Sequence, residues 1–316
     1  MFMLYLWIAL GVIAVLALGA LGLTYYCYRA AFYVPDRPPR DPNAYPLPEG
    51  SIYEPHHERM VQWIKEVRAM PQEDVSITSF DGLTLTGKFF EYAPGAPIEL
   101  MFHGYRGNSE RDMGGGVQRC FALGRSALLV CQRASEGSEG NVISFGINER
   151  KDCHAWVDFM IQRFGPEVKI ILTGISMGAA TVMMAAGDPL PPNVIGVLAD
   201  CGYSSSKDII QLVIGKMGLP AKLAYPFVKL SARLFGHFDL EETSPVEAMA
   251  QCKLPVIFIH GDADNFVPAY MSKENYDACA GPRKLVLVPG AGHGLSCLVA
   301  PEYYLQELRA FFAPYL

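Results

Sequence analysis

Hydrophobic and polar positions divide this chain into three unequal parts. Residues 1–28 carry no charged side chain and show no polar face. At about 1.5 Å per residue, such a run makes a helix long enough to cross a bilayer. Aromatic residues sit at both ends of it (Phe2, Tyr5, Trp7; Tyr25, Tyr26, Tyr28), as interfacial anchors do. Residues 35–50, PDRPPRDPNAYPLPEG, hold six prolines. They support neither a helix nor a central strand, and read as a semi-rigid spacer lifting the following domain off the membrane. Beyond them, short apolar β-branched runs alternate with stretches of helical period.

The alternation predicts particular elements. A helix over 54–70 precedes two strands, 75–80 and 83–92, joined by Asp81-Gly82, a hairpin signal. Six further strands follow, at 98–102, 127–131, 168–173, 194–199, 256–259 and 285–288. Helical patterns lie between them near 113–123, 149–164, 177–187, 270–280 and 301–313. A hairpin followed by repeated βα units predicts an α/β class with a mostly parallel sheet covered by helices on both faces. The organisation is then a transmembrane anchor at 2–28, a spacer at 29–52 and one domain at 53–316. About 55 residues separate the strands at 194 and 256, more than a crossover needs, so residues 203–250 read as an inserted helical cap.

Charge and cysteine content narrow the picture. A net charge of −6 with no Lys/Arg-rich run gives no footprint for nucleic acid. The eight cysteines form no C-x-x-C and no regular spacing, which speaks against a zinc site and a disulfide framework and fits reduced, mostly buried thiols. Arg29, Arg37 and Arg40 follow the apolar run, and only the terminal amine precedes it. The positive-inside rule therefore places the body of this single-pass protein in the cytoplasm. The competing reading is a cleaved signal peptide, with small residues at 17–22 as the cleavage site and a secreted or extracytoplasmic domain. The absence of Lys or Arg before the apolar stretch, and its length, speak for the anchor.

Candidate chemistry centres on KIILTGISMGAATVMMAAG. A strand runs into Gly174-Ile175-Ser176-Met177-Gly178, and a helix follows. A serine on that sharp turn has an exposed hydroxyl, its flanking glycines allow close backbone packing, and the helix dipole favours negative charge beside it. Such a hydroxyl needs a base, and the base an orienting acid. His293, in the VPGAGHG loop after the last strand, is the best-placed base. Its glycines do not have G-x-G-x-x-G spacing, so a dinucleotide loop is discarded. The acid should come from another strand end, where Asp200, Asp262 and Asp264 are available.

With Ser176, an acid and His293 in this order, and with HGDADNFVP and FHGYRG in place, residues 73–316 resemble the α/β-hydrolases. The resemblance implies a serine hydrolase that cleaves a carboxylic ester or similar acyl bond through an acyl-enzyme. In the family pattern H-G-x-x-D-x-x-V-P, counted from His260, the acid is Asp264, leaving Asp262 as a turn residue. The backbone N–H groups of Tyr105 and Met177 would form the oxyanion hole. His103 would hold the loop, and Arg133, Glu136 and Glu139 would order theirs. No metal and no organic cofactor is called for. The expected partners are a small-molecule or lipid-like acyl substrate and a membrane. An acyltransferase, thioesterase or peptidase on the same residues is the alternative, and a non-catalytic scaffold of this fold a more distant one.

Residues 209–238 contain no acid but carry Lys216, Lys222, Lys229 and Arg233 among apolar residues, with Pro220 and Pro226 expected to break the segment into short helices. One reading is a lid whose apolar face covers Ser176 while its cations face water. The other is a basic, apolar surface resting on anionic lipid.

Overall fold

The structure is a computed structural model describing residues 1–35, 41 and 43–316. Arg37, Arg40 and part of the proline-rich stretch lie outside the described residues. Eight strands form one sheet: β1 Glu73–Thr78, β2 Thr84–Phe90, β3 Ile98–Phe102, β4 Ser126–Val130, β5 Ile170–Ile175, β6 Val194–Asp200, β7 Val256–Gly261 and β8 Arg283–Val288. Their spatial order is β1-β2-β4-β3-β5-β6-β7-β8. β1 and β2 form the expected antiparallel hairpin and β2 pairs antiparallel with β4, whereas β4 and β3 through β8 run parallel. The expected strands are all present, with ends shifted by up to two residues.

Eleven helices are described: α1 Phe2–Ala31, α2 His57–Ala69, α3 Ser109–Ala122, α4 Glu149–Phe164, α5 Met177–Gly187, α6 Ser206–Lys216, α7 Ala221–Leu234, α8 Pro245–Gln251, α9 Tyr270–Ala278, α10 Ser296–Val299 and α11 Pro301–Phe312. Period-two alternation along the strands supplies both faces of the sheet. Leu100 and Phe102 of β3 join the core beneath α4 and α5, while Met101 between them joins the core beneath α2 and α3. Tyr304, Leu308 and Phe312, on one stripe of α11, cover Leu198 and Ile257 on that second face. All eight cysteines are free thiols, and six of them are buried.

Two expectations about the flanking segments need correction. First, α1 does not end in a free tether. Residues before Thr24 stand clear of the domain, and the helix is long and apolar enough to cross a membrane. Its last two turns, however, are built into the domain. Tyr28 is buried against Phe235 with ring centroids 5.7 Å apart, and Phe32 packs between Phe145 and Phe238. Tyr33 bridges to Val142, and Val34 donates its N–H to the Asn141 carbonyl at 2.8 Å. The proline-rich stretch therefore follows residues already docked on the domain, and it is not the link between α1 and the domain. Tyr28, expected as an interfacial anchor, is a packing residue.

Second, the insertion between β6 and β7 is helical, as expected, but its inner face is occupied by α1. Tyr225, Val228 and Ala232, at helical spacing on α7, share a core with Tyr28 and Phe32. Pro226 does not break α7. It lies on the exposed side, where the Lys222 carbonyl that loses its helical donor can be hydrated. Lys229 and Arg233 pair with Glu241 and Asp239, and Lys216 reaches the Asn265 carbonyl.

Candidate active site

The carboxyl ends of β3, β5, β7 and β8 bring the expected residues together. Ser176 sits between β5 and α5 with φ 56° and ψ −119°, a conformation that side chains with a β-carbon rarely adopt. Two close approaches enforce it. A Cβ at Gly178 would meet the Phe102 carbonyl oxygen at 2.0 Å, and one at Gly174 would meet the Gly178 carbonyl at 2.2 Å. Both contacts are with backbone, which cannot swing aside. Gly178→Ala is accordingly expected to destabilise the chain by about 3 kcal/mol, at the upper end for overpacking, read as a lower urea midpoint at unchanged slope.

The serine occupies the cap position of α5, yet its hydroxyl does not cap the helix. It lies 2.9 Å from Nε2 of His293, whose Nδ1 lies 2.7 Å from Oδ2 of Asp264. Of the three acids the chain offered, Asp264 is the one on His293. Asp262 accepts the Gly290 N–H at 2.7 Å as a turn residue, and Asp200 accepts the Tyr304 hydroxyl at 2.9 Å. Asp264 is itself held firmly. Its Oδ1 accepts the N–H groups of Phe266 (2.8 Å) and Val267 (2.9 Å), and His260 approaches Oδ2 at 3.2 Å. Burial alone would raise its pKa, but the hydrogen bonds and charge of His260 and His293 outweigh burial and hold the carboxyl well below the usual carboxylate range. Asp264 is therefore an anion at neutral pH. Cys201 also brings its thiol close, so that donor atoms of Cys201, Asp264 and His293 lie within 4.8 Å of one another, although two of the three are already engaged together.

His103-Gly104-Tyr105 follows β3 and runs beside the serine. A Cβ at Gly104 would lie 3.4 Å from the Ser176 Cβ. His103 is buried and ties the loop down: Gln132 donates its N–H to Nε2 at 3.1 Å, so Nδ1–H donates to the Gly104 carbonyl at 2.9 Å. Burial pushes its pKa down, consistent with that neutral tautomer. Met177 is the first residue of α5 and Tyr105 the residue after Gly104, so both backbones flank Ser176. Arg133 orders its loop as expected, with paired bonds to Asp152 (both 2.7 Å) and to Asp81, and Glu139 accepts the Thr84 N–H.

Several contributors had no local signal in the chain. Asp112 accepts the Gly104 N–H at 2.8 Å, and the Phe266 ring stands edge-on to His293 at 5.1 Å. Ser176, Tyr105 and His293 line a cavity of about 540 Å³. Its apolar wall comes from Ile52, Met60, Trp63, Ile64, Met113 and Leu298. Among the described residues, none of 203–250 lines it, so the inserted helices do not roof Ser176. Residues 48–53, at the end of the proline-rich stretch and just beyond it, line the cavity instead, with Met60, Trp63 and Ile64 of α2. Trp63 lies close over Gly115 of α3, where a Cβ would sit 2.4 Å from its ring.

No family model matches the chain. The uncharacterized protein Rv2307c of Mycobacterium tuberculosis is 25% identical over 310 residues, covering 96% of this chain and 94% of its own length. The uncharacterized protein YqkD of Bacillus subtilis is 24% identical over 190 residues, and there the match spans 62% of the relative's length. Among solved structures, the Pyrococcus furiosus esterase Pf2001 superposes with a TM-score of 0.66 at 19% identity, covering 90% of this chain and 99% of that one. Est1E from Butyrivibrio proteoclasticus, with ferulic acid bound, gives 0.58 at 18%, covering 76% and 98%. An α/β hydrolase from a Penicillium species, GrgF, gives 0.62 at 17%, covering 78% and 99%. Element order, strand order and these likenesses agree: the chain has the α/β-hydrolase fold.

Proposed function

We propose that this chain is a membrane-anchored serine hydrolase that cleaves a carboxylic ester or similar acyl bond. The observation that carries the reading is the unbroken line of hydrogen bonds from Ser176 through His293 to Asp264, opening on a mostly apolar cavity. In the proposed reaction His293 Nε2 takes the Ser176 proton as Oγ attacks the carbonyl carbon. Asp264 keeps the other imidazole proton on Nδ1 and stabilises the cation that forms. The N–H groups of Tyr105 and Met177 stabilise the oxyanion. The imidazolium then protonates the leaving group, and water activated by the same histidine releases the acid. The apolar lining favours acyl substrates with hydrocarbon character, and the names of the solved neighbours, esterases among them, support the reaction class.

Helix α1 would hold the enzyme in a membrane, with the domain on the cytoplasmic side. The arginines after the apolar run and the free thiols support that side. The test is labelling of the full chain with a fluorophosphonate and identification of the modified peptide by mass spectrometry. The expected adduct is on Ser176; no adduct, or one on another residue, would overturn the proposal.

A further inference from the structure

We infer that the last turn of the N-terminal helix is a positioning element of the active site: the side chains of Tyr105 and Arg106 tie the loop beside Ser176 to the C-terminal carbonyls of α1. The inference deepens the hydrolase reading above, because Tyr105 is the residue whose N–H would receive the oxyanion.

A helix leaves its last four carbonyls without helical donors. In α1 the Tyr28 carbonyl accepts the N–H groups of Phe32 and Tyr33, at 2.9 and 3.0 Å. The Ala31 carbonyl accepts the Tyr105 hydroxyl at 2.8 Å, and the Ala30 carbonyl accepts the Arg106 guanidinium at 2.9 Å. The same guanidinium reaches the Tyr33 carbonyl at 3.2 Å. A cation at a helix C-terminus also meets the negative end of the helix dipole. Two consecutive side chains of the loop thus cap the end of the membrane helix.

The backbone at this point needs holding. Arg106 has φ 50°, a left-handed conformation unfavourable for a residue with a side chain. On one side of it, Gly104 is fixed by its N–H bond to Asp112. On the other, the bonds to α1 are reinforced by ring contacts: Tyr105 meets Phe145 at a tilt with centroids 5.1 Å apart, and Phe145 meets Phe32 edge-on at 5.7 Å. Asp112 therefore anchors the loop at Gly104, and α1 anchors it at Tyr105 and Arg106. Without the second anchorage the triad would remain, but the peptide carrying the Tyr105 N–H could turn. Seating of the membrane helix and competence of the oxyanion site are one event.

The test uses the full chain in detergent micelles, comparing the wild type with Tyr105→Phe, Arg106→Ala, the double variant and Arg106→Lys. Tyr105→Phe keeps the backbone N–H and removes only the tie to Ala31. In the double variant, amide hydrogen exchange over residues 104–108 is expected to quicken at least about tenfold while protection elsewhere is unchanged. On a p-nitrophenyl ester, kcat should fall about 10- to 100-fold, a part or all of what one lost oxyanion donor costs, with KM within about twofold. Arg106→Lys, which keeps a cation at the helix end, should stay near the wild type. Unchanged exchange over 104–108, or a loss of protection spread over the whole domain, would overturn the inference. If the wild type cleaves no ester at all, the hydrolase reading falls, and the exchange measurement alone still decides whether α1 holds the loop.

Discussion

Asp264→Asn is expected to lower kcat for ester hydrolysis by about 10⁴-fold, and Ser176→Ala by about 10⁶-fold, the sizes that loss of the orienting acid and of the nucleophile have in triads. The smaller loss is the more informative, because the surroundings of Asp264 dictate how the amide must sit. Its Oδ1 position receives two backbone N–H groups, from Phe266 and Val267, and only an oxygen satisfies both. The asparagine NH₂ is then forced into the Oδ2 position, 2.7 Å from His293 Nδ1. Nδ1 must become the acceptor, so the imidazole proton moves to Nε2 and points at Ser176. A histidine in that tautomer donates to the serine and cannot take its proton. The fold should survive the change, since all but one of the packing and hydrogen-bond partners of Asp264 are preserved. Stopped-flow or steady-state turnover, beside an unchanged thermal unfolding curve, checks this. Retention of more than about 1% of wild-type kcat would mean that another group orients His293. Asp200, the remaining buried acid at a strand end, would then be the one to replace.

Much of this site was legible in the chain because its demands are local. The sharp turn at Ser176 needs glycine two residues either side of the serine, and Gly174 and Gly178 are there because a Cβ at either would strike backbone. The β-branched runs, bounded by turn residues, placed the strands whose ends carry the site. Strand order was not legible: β4 lies between β2 and β3, and no residue in β4 says so. Docking of α1 was hidden for a different reason. Periodicity marks a buried face by contrast with a polar one, and a run that is apolar all round has no contrast. Thr24 and Tyr28, the two buried residues of that helix, sit beside Tyr25, Tyr26 and Cys27, and nothing in the sequence sets them apart as the docked positions. The wall of the cavity was hidden for a third reason. Ile52 and Trp63 come from beyond the proline-rich stretch, and their places, Ile52 against Gly292 and Trp63 over Gly115 of α3, depend on tertiary packing alone. Proline rules failed at Pro226 because the helix exposes that side of α7 to solvent, where a lost backbone bond is cheaply replaced.

Glu99→Gln is expected to destabilise the chain by about 3 kcal/mol at pH 7, with the difference shrinking as pH falls below about 4.5. Glu99 is the one charged side chain on β3. It is fully buried, paired with Arg119 and with Arg125 (2.6 Å), and accepts the Thr173 hydroxyl at 3.0 Å. Burial would raise its pKa, but the two guanidiniums outweigh burial and hold it at about 2, against an ordinary value of 4.5. Because the folded-state pKa is the lower one, the stabilisation is complete above the unfolded value. It is lost progressively as pH falls from about 4.5 towards 2, where the folded state also takes up the proton. The glutamine keeps the shape but leaves two buried cations uncompensated, and that deficit, more than any lost hydrogen bond, sets the size of the effect. Urea unfolding followed by tryptophan fluorescence in micelles, at pH 7, 5, 4 and 3, checks both size and slope. A wild-type advantage that stays constant to pH 3 would show that the pairs do not govern stability. The cluster also bears on function through its position. Thr173, on β5, is three residues before Ser176, and Arg119 of α3 lines the cavity. Ionised Glu99 balances the charge of Arg119 at the cavity wall. With it neutral, nothing balances the Arg119 charge, and an apolar substrate would have to be buried against an uncompensated cation.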